Sequence, residues 1–133
     1  MFTRPTKVPH PNHSRYLSVV INLGTNDYLW ARPELVETYN ATYVDLVSAA
    51  DQAYGPGTVH FFLACGPMDD TYCANVDWII EEVTSKGIVA TLLDQTPFLN
   101  GTYGEACCGH PSEAILKVMA ESAVAFIKGA MGW

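Results

Sequence analysis

Basic residues are scarce in this sequence. Seven Lys and Arg stand against 14 Asp and Glu among 133 residues, which gives a formal charge of −7. A surface with this excess of negative charge repels phosphate backbones. We therefore expect no nucleic-acid partner. A neutral or cationic ligand is compatible with this surface charge.

Long hydrophobic runs are absent as well. No apolar segment approaches the ~20 residues of a membrane-spanning helix, so we expect no membrane insertion. The opening MFTRPTKVPHPNHSRY lacks the apolar stretch of a secretory signal, and residues 1–15 are interpreted as an irregular arm. No predicted strand is followed by a glycine-rich phosphate loop that opens a helix, which disfavours a flavodoxin-like nucleotide binder.

The residues that are present indicate one globular domain, because 49% are apolar and only 16% are charged. Cysteines and Asn-x-Ser/Thr triplets occur at Cys65, Cys73, Cys107, Cys108, Asn12, Asn40 and Asn100. The triplets favour a secreted or extracytoplasmic protein whose natural chain begins further upstream. In such a protein Cys65 and Cys73 flank a short turn and can close a disulfide. Cys107 and Cys108 either form a vicinal bridge or pack separately.

Aliphatic runs alternate with amphipathic segments along the chain, which predicts strands alternating with helices. The predicted strands are Tyr16–Leu23, Val59–Ala64 and Ile88–Leu93, and the predicted helices run from Pro33 to Tyr54, from Cys73 to Ser85 and onward from a capping Ser112. This order predicts parallel strands joined by right-handed crossovers. The expected fold class is α/β, a three-layer α/β/α arrangement around a parallel sheet of about three strands.

Polar residues follow the predicted strands, at the sheet edge where α/β proteins bind ligands. Asn26 can donate a side-chain amide to an oxyanion, and Gly24 lets the backbone approach a ligand closely. His110, just before the last helix, is placed to act as a general base. Taken one at a time, each has an ordinary alternative, a plain turn for Gly24 to Asp27 and a solvated side chain for His110.

Together these residues resemble the SGNH, or GDSL, hydrolases. Gly24-Thr25-Asn26-Asp27 after VVINL is similar to their third conserved block, and Cys107-Cys108-Gly109-His110-Pro111-Ser112 is similar to their last block. ACGPM after the middle strand is similar to the carbohydrate-acetylesterase-like branch. The resemblance extends from about Tyr16 onward and implies an SGNH/flavodoxin-like fold. It also implies serine-based hydrolysis of acyl esters, in particular acetyl esters of carbohydrates, without a metal or other cofactor.

The resemblance assigns roles to individual residues. His110 is the catalytic general base, and Asn26 with Gly24 forms the oxyanion hole. Asp27 braces the loop at the site. Tyr28, Trp30 and Met68 line an acyl or sugar pocket or pack in the core.

The sequence departs from the family pattern in two places. No Gly-Asp-Ser block with the nucleophile precedes Gly24, so residues 16–133 are interpreted as the carboxyl-terminal portion of an SGNH domain, inactive by itself. The family places Asp three residues before the histidine, where this chain has Cys107. Either Glu105 or a backbone carbonyl then orients His110, and the carbonyl is favoured.

Without the first strands of that family, the strand at 16–23 becomes an apolar edge that a partner or a missing segment must cover. Adjacent cysteines do not match the spaced pairs of zinc sites, so we expect no metal. The alternative function is a non-catalytic α/β module that binds a carbohydrate or another small molecule.

Overall fold

The computed structural model describes residues 17–29, 33–99 and 106–133. The predicted arm at 1–15 lies outside these ranges. The elements are β1 (Leu17–Asn22), α1 (Thr25–Leu29), α2 (Pro33–Tyr54), β2 (Val59–Cys65), α3 (Cys73–Ser85), β3 (Val89–Asp94) and α4 (Glu113–Met131). Two short 3-10 turns, Thr96–Phe98 and Cys107–Gly109, lie between β3 and α4.

The three strands form one parallel sheet in the order β1-β2-β3. Leu17 lies opposite Val59, and His60 lies opposite Val89. Parallel strands need a crossover connection, and α2 and α3 supply the two crossovers. The predicted α/β class is therefore confirmed.

Helices cover both faces of the central strand β2. Alternate residues of a strand point to opposite faces, and Phe61 and Leu63 pack in the core beneath α2 and α3. Phe62 and Ala64 pack on the other face, against the apolar residues Ala123, Ile127 and Met131 of α4. Strand β2 is therefore buried on both faces.

Strand β1 is the exposed edge of the sheet. Leu17 and Val20 are each about half exposed, at 52% and 49%, and Leu23 just beyond the strand is 48% exposed. The aliphatic run of β1 is typical of a strand covered on both faces, but only the face that carries Val19 and Ile21 packs against the core, and Val20 on the other face stays half exposed. The prediction that it forms an apolar edge describes it correctly.

The helix boundaries follow from local signals. Helices α2 and α3 begin and end at the predicted residues, and Ser112 caps α4 by accepting a hydrogen bond from the backbone N–H of Ile115 at 3.3 Å. The segment after β1 differs from expectation. A plain turn was one of two alternatives for residues 24–27, and the carbonyl of Gly24 instead accepts hydrogen bonds from Asp27 and Tyr28, both at 3.1 Å, which open the short helix α1.

Asn40, one of the three candidate glycosylation sites, lies in the middle of α2. Its side-chain oxygen accepts a hydrogen bond of 2.9 Å from Asn75 of α3. An amide that joins two packed helices is a poor acceptor for a glycan, so this triplet does not support a secretory route. In the described ranges no helix is long and apolar enough to span a bilayer.

Candidate active site

The candidate site begins at Gly24, directly beyond β1. Gly24 is buried with φ +132°, and a Cβ built on it would lie 2.6 Å from Cδ2 of Tyr72 and 2.7 Å from the hydroxyl oxygen of Tyr39. Real Cβ atoms do not approach other atoms this closely. Only glycine therefore fits at this position, where the backbone leaves the sheet against two tyrosine rings.

Four tyrosines, namely Tyr28, Tyr39, Tyr43 and Tyr72, pack around that point. The Tyr39 hydroxyl donates to the carbonyl of Leu23 at 2.8 Å, and the Tyr43 hydroxyl donates to the carbonyl of Ile21 at 3.2 Å. Burial raises the pKa of Tyr39 and of Tyr43 well above the ordinary tyrosine value. Both hydroxyls stay protonated and anchor the end of β1 to α2, so neither serves as an acid or a base near neutral pH.

Tyr28, which the resemblance placed in a ligand pocket, packs at the margin of this aromatic core. Burial, with a smaller contribution from the Asp27 carboxylate, raises its pKa. The hydroxyl of Tyr28 is buried and has no hydrogen-bond partner among the described residues. Its ring contacts Tyr39 edge to face, at 5.2 Å between centroids. Core packing is therefore the contribution of Tyr28 that the structure displays.

Asn26 and Asp27 both lie on α1. Asn26 is exposed, and its side-chain amide makes no hydrogen bond within the described part of the chain. Asp27 is partly buried and borders a cavity of about 290 Å³ between the end of β1 and one face of α2. The other residues around this cavity are Leu23, Leu35, Thr38, Tyr39, Thr42, Tyr43 and Leu46.

The end of β2 is tied to both neighbouring strands. Asn22, the last residue of β1, donates its side-chain amide to the carbonyl of Gly66 at 3.2 Å. The Tyr72 hydroxyl accepts from the backbone N–H of Gly66 at 3.3 Å. A Cβ on Gly66 would lie 2.8 Å from the carbonyl carbon of Gln95, because the chain after β3 crosses directly over it. These contacts hold the carboxyl ends of the three strands together.

Two disulfides flank the site, joining Cys65 to Cys73 and Cys107 to Cys108. The first links the end of β2 to the start of α3, and the sulfur of Cys65 lies in the core. The second links adjacent residues in an exposed turn. The described residues contain no cluster of three or more side chains suited to hold a metal ion.

His110 follows the Cys107–Gly109 turn. Its Nδ1 lies 3.3 Å from the carbonyl oxygen of Cys107. A carbonyl oxygen only accepts, so this contact is a hydrogen bond when Nδ1 carries the proton. The other ring nitrogen, Nε2, then holds the free lone pair, which is the tautomer that a general base requires.

The predicted site residues fall into two groups in the structure. Gly24, Asn26 and Asp27 share one turn and helix beyond β1, and His110 lies in the segment that leads into α4. No hydrogen bond joins His110 to Asn26 within the described ranges. Glu105 and Trp30 lie outside those ranges, so their predicted roles stay predictions.

Sequence reasoning missed Asn22 and the hydroxyls of Tyr39, Tyr43 and Tyr72. The helical spacing of Tyr39 and Tyr43 in the predicted helix is typical of core residues but gives no sign of their carbonyl partners. An asparagine at the end of an aliphatic strand was the only available signal for Asn22, and it is equally typical of a turn.

Comparison with known proteins adds one relative and one solved structure. The chain is 30% identical over 139 aligned positions to the cellulase/esterase CelE of Acetivibrio thermocellus, an alignment that covers 99% of this chain and 17% of CelE. It superposes with a TM-score of 0.68 and 21% identity on a carbohydrate esterase whose active site displays divergent catalytic and non-catalytic binding functions. That match covers 93% of this chain and 41% of the esterase chain.

No protein-family model matches the chain. The chain thus spans less than half the length of either protein it resembles. The structural match establishes a fold shared with a carbohydrate esterase, and the sequence similarity to CelE extends over nearly all of this chain.

Proposed function

We propose that this chain carries the histidine and oxyanion-hole parts of an SGNH-type serine esterase. The substrate class is acyl esters, in particular acetyl esters of carbohydrates. Three observations support the proposal: the two sequence blocks around Asn26 and His110, the similarity to a cellulase/esterase, and the fold shared with a carbohydrate esterase.

The contact between His110 Nδ1 and the Cys107 carbonyl carries the proposal. A general base in ester hydrolysis must take the proton of the serine hydroxyl through one ring nitrogen while the other is held. The 3.3 Å contact to a backbone carbonyl holds Nδ1 and leaves Nε2 free, without the aspartate that the family pattern would place at position 107. His110 and the serine then form a two-residue catalytic pair.

Asn26 would stabilise the charge that develops on the substrate. Its amide is exposed and has no internal partner among the described residues, so it is available to donate to an oxyanion. Gly24, which is buried against Tyr39 and Tyr72, would hold the same turn in place. Asp27, which is partly buried on α1, would brace that turn rather than touch the substrate.

The nucleophile would come from a segment that adds a strand along β1. Leu17, Val20 and Leu23 expose about half of their surfaces at that edge. An exposed apolar strand edge favours pairing with another strand. In this arrangement the chain by itself is inactive, and the added strand brings the serine to the carboxyl end of the sheet. An esterase that works outside the cytoplasm is part of this proposal, and the two disulfides, which are typical of extracytoplasmic proteins, support it.

The test compares the isolated chain with the longest natural polypeptide that contains it. We expect the isolated chain to show no labelling by a fluorophosphonate probe and no hydrolysis of an acetyl ester. We expect the longer polypeptide to react with the probe and to lose at least ~100-fold in hydrolysis on His110→Ala. His60→Gln, a change at a histidine on β2, is the matched control and should keep the activity. Serine labelling of the isolated chain, or full activity after His110→Ala, would refute the proposal.

A second candidate function is carbohydrate binding without turnover. The solved esterase that shares this fold has an active site with both catalytic and non-catalytic binding functions, which favours this candidate. The isolated chain would then bind an oligosaccharide in calorimetry and lose that binding on Trp30→Ala. Binding of this kind with no probe labelling of the longer polypeptide would select the binding module over the esterase.

A further inference from the structure

The turn before His110 has an unusual backbone. Cys108 has φ +68° and ψ +33°, which is the left-handed helical region, and it is the only non-glycine residue with positive φ in the described ranges. A residue with a side chain enters this region at a cost of about 1–2 kcal/mol. Some interaction must therefore hold Cys108 in place.

Packing does not hold this turn, because residues 106–110 are all exposed. Two backbone hydrogen bonds close it, from the Ala106 N–H to the His110 carbonyl at 3.0 Å and from the His110 N–H to the Cys107 carbonyl at 3.4 Å. The remaining constraint is covalent, since a disulfide joins Cys107 to Cys108. The bridge restricts the same peptide unit whose carbonyl faces the His110 ring.

We propose that the Cys107–Cys108 disulfide is a positioning element for His110 and makes its tautomer sensitive to redox conditions. With the bridge closed, the Cys107 carbonyl is presented to Nδ1, so the proton resides on Nδ1 and Nε2 is the base. With the bridge open, Cys108 relaxes from the left-handed region and the carbonyl turns away from the ring. Nδ1 then loses its acceptor, and the proton is no longer confined to that nitrogen.

The chemical step is thiol–disulfide exchange with a dithiol reductant. One thiolate of the reductant attacks a sulfur of the bridge, which breaks the Cys107–Cys108 bond and forms a mixed disulfide. The second thiolate of the reductant then displaces the remaining cysteine. Two electrons and two protons pass to Cys107 and Cys108, and the reductant leaves as its own disulfide.

The two disulfides differ in solvent exposure, and this difference makes reduction selective for one of them. Both Cys107 and Cys108 are exposed, whereas Cys65 of the other bridge is only 1% exposed. Since exchange requires the attacking thiolate to reach a sulfur, mild reduction should open Cys107–Cys108 before Cys65–Cys73.

The test reads the tautomer of His110 directly. Protein with ¹⁵N-labelled histidine is studied at alkaline pH, where histidine is neutral, and long-range ¹H–¹⁵N correlations distinguish protonated from unprotonated ring nitrogens. His110→Gln assigns the signal. His60 is the internal control, because its Nε2 contacts Thr91 at 2.7 Å on β3 and has no contact with the bridge.

We expect His110 in the oxidised protein to show one dominant tautomer with the proton on Nδ1. After mild reduction, with alkylation and mass spectrometry confirming two new thiols at Cys107 and Cys108, the signal should shift toward a mixture while that of His60 does not change. The double variant Cys107→Ser with Cys108→Ser should show the same mixture with Cys65–Cys73 intact. An unchanged His110 tautomer in the reduced protein or in this variant would overturn the proposal.

A second variant tests the backbone step. Asparagine enters the left-handed region more readily than serine, so Cys107→Ser with Cys108→Asn should recover part of the Nδ1 preference. If the Nδ1 preference does not recover in this variant, the backbone conformation of residue 108 does not position the Cys107 carbonyl. The consequence for catalysis rests on the proposed function, but the tautomer is measured without substrate. A tautomer shift in the chain, together with no ester hydrolysis by the longer polypeptide, would refute the esterase and leave the positioning role standing.

Discussion

Replacement of Gly24 by alanine tests the packing that supports the candidate site. A Cβ at this position would lie 2.6 and 2.8 Å from two carbons of the Tyr72 ring and 2.7 Å from the Tyr39 hydroxyl. Tyr72 is fully buried and Tyr39 is only 6% exposed, so neither ring can move into solvent. The methyl group must therefore displace packed side chains.

The cost has three parts. A side chain at φ +132° costs about 1–3 kcal/mol, overpacking of a core costs about 1–3 kcal/mol, and loss of the hydrogen bond from Tyr39 to the Leu23 carbonyl costs about 1 kcal/mol. The sum is about 3–7 kcal/mol. Domains are stable by only about 5–15 kcal/mol, so this change removes much of the free energy of unfolding.

Urea unfolding followed by circular dichroism measures this loss. With a urea dependence of about 1–2 kcal/mol/M for a domain of this size, the midpoint for Gly24→Ala should fall by about 1.5 M or more. Gly87→Ala is the matched control, because Gly87 also has positive φ, at +85°, but no atom lies within 4 Å of its built Cβ. If Gly24→Ala destabilises the protein no more than Gly87→Ala does, the close packing around Gly24 is refuted.

Three further predictions concern Asn26, Tyr39 and the pair Tyr39 and Tyr43. Asn26→Ala in the esterase-active polypeptide should lower kcat by about 10²–10³ with little change in KM, and an effect confined to KM would contradict an oxyanion role. Tyr39→Phe should lower the free energy of unfolding by about 1 kcal/mol, and an unchanged urea midpoint would show that the bond to Leu23 adds nothing. Burial raises the pKa of Tyr39 and Tyr43, so their stabilising contribution is full below the unfolded tyrosine pKa of ~10 and is lost as pH rises above it. The free energy of unfolding should then fall less between neutral pH and pH above ~10 in the double phenylalanine variant than in the unmodified chain, and an equal fall would contradict this.

Acid stability provides a test at His60. Burial lowers the pKa of His60, so its contribution to stability is present above the unfolded histidine pKa of ~6.5 and is lost as pH falls through the lower folded value. The urea midpoint should therefore decline less between neutral and mildly acidic pH in His60→Gln than in the unmodified chain. Equal declines of the urea midpoint would mean that protonation of His60 does not contribute to the loss of stability in acid.

Much of the fold could be predicted because its boundaries have local causes. Pro33 marks the start of α2, Gly55-Pro56-Gly57 ends it, and Lys86-Gly87 ends α3, so these helices were located correctly. The strands were located to within about one residue, because hydrophobic patterns indicate burial but not which N–H and C=O groups are paired. Helix α1 was missed, because five residues are too few to display a helical period.

The candidate site was less predictable, because its contacts join residues distant in the chain. Nothing in the sequence connects Tyr72 to Gly24 or Asn22 to Gly66, although these pairs shape the carboxyl end of the sheet. The partner of His110 was easier to predict from the sequence, because Cys107 lies only three residues before it. The missing aspartate and the family resemblance favoured a backbone carbonyl over Glu105, and the Cys107 carbonyl oxygen lies 3.3 Å from Nδ1 of His110.

The central claim is that Asn26 and His110 serve one reacting ester. Titration of the chain with methylphosphonate, a tetrahedral anion that resembles the intermediate of acetyl transfer, tests it by NMR. The account predicts that the side-chain amide of Asn26 and the imidazole of His110 respond together, with one common dissociation constant, while His60 does not. A response at only one of the two residues, or two different dissociation constants, would contradict it.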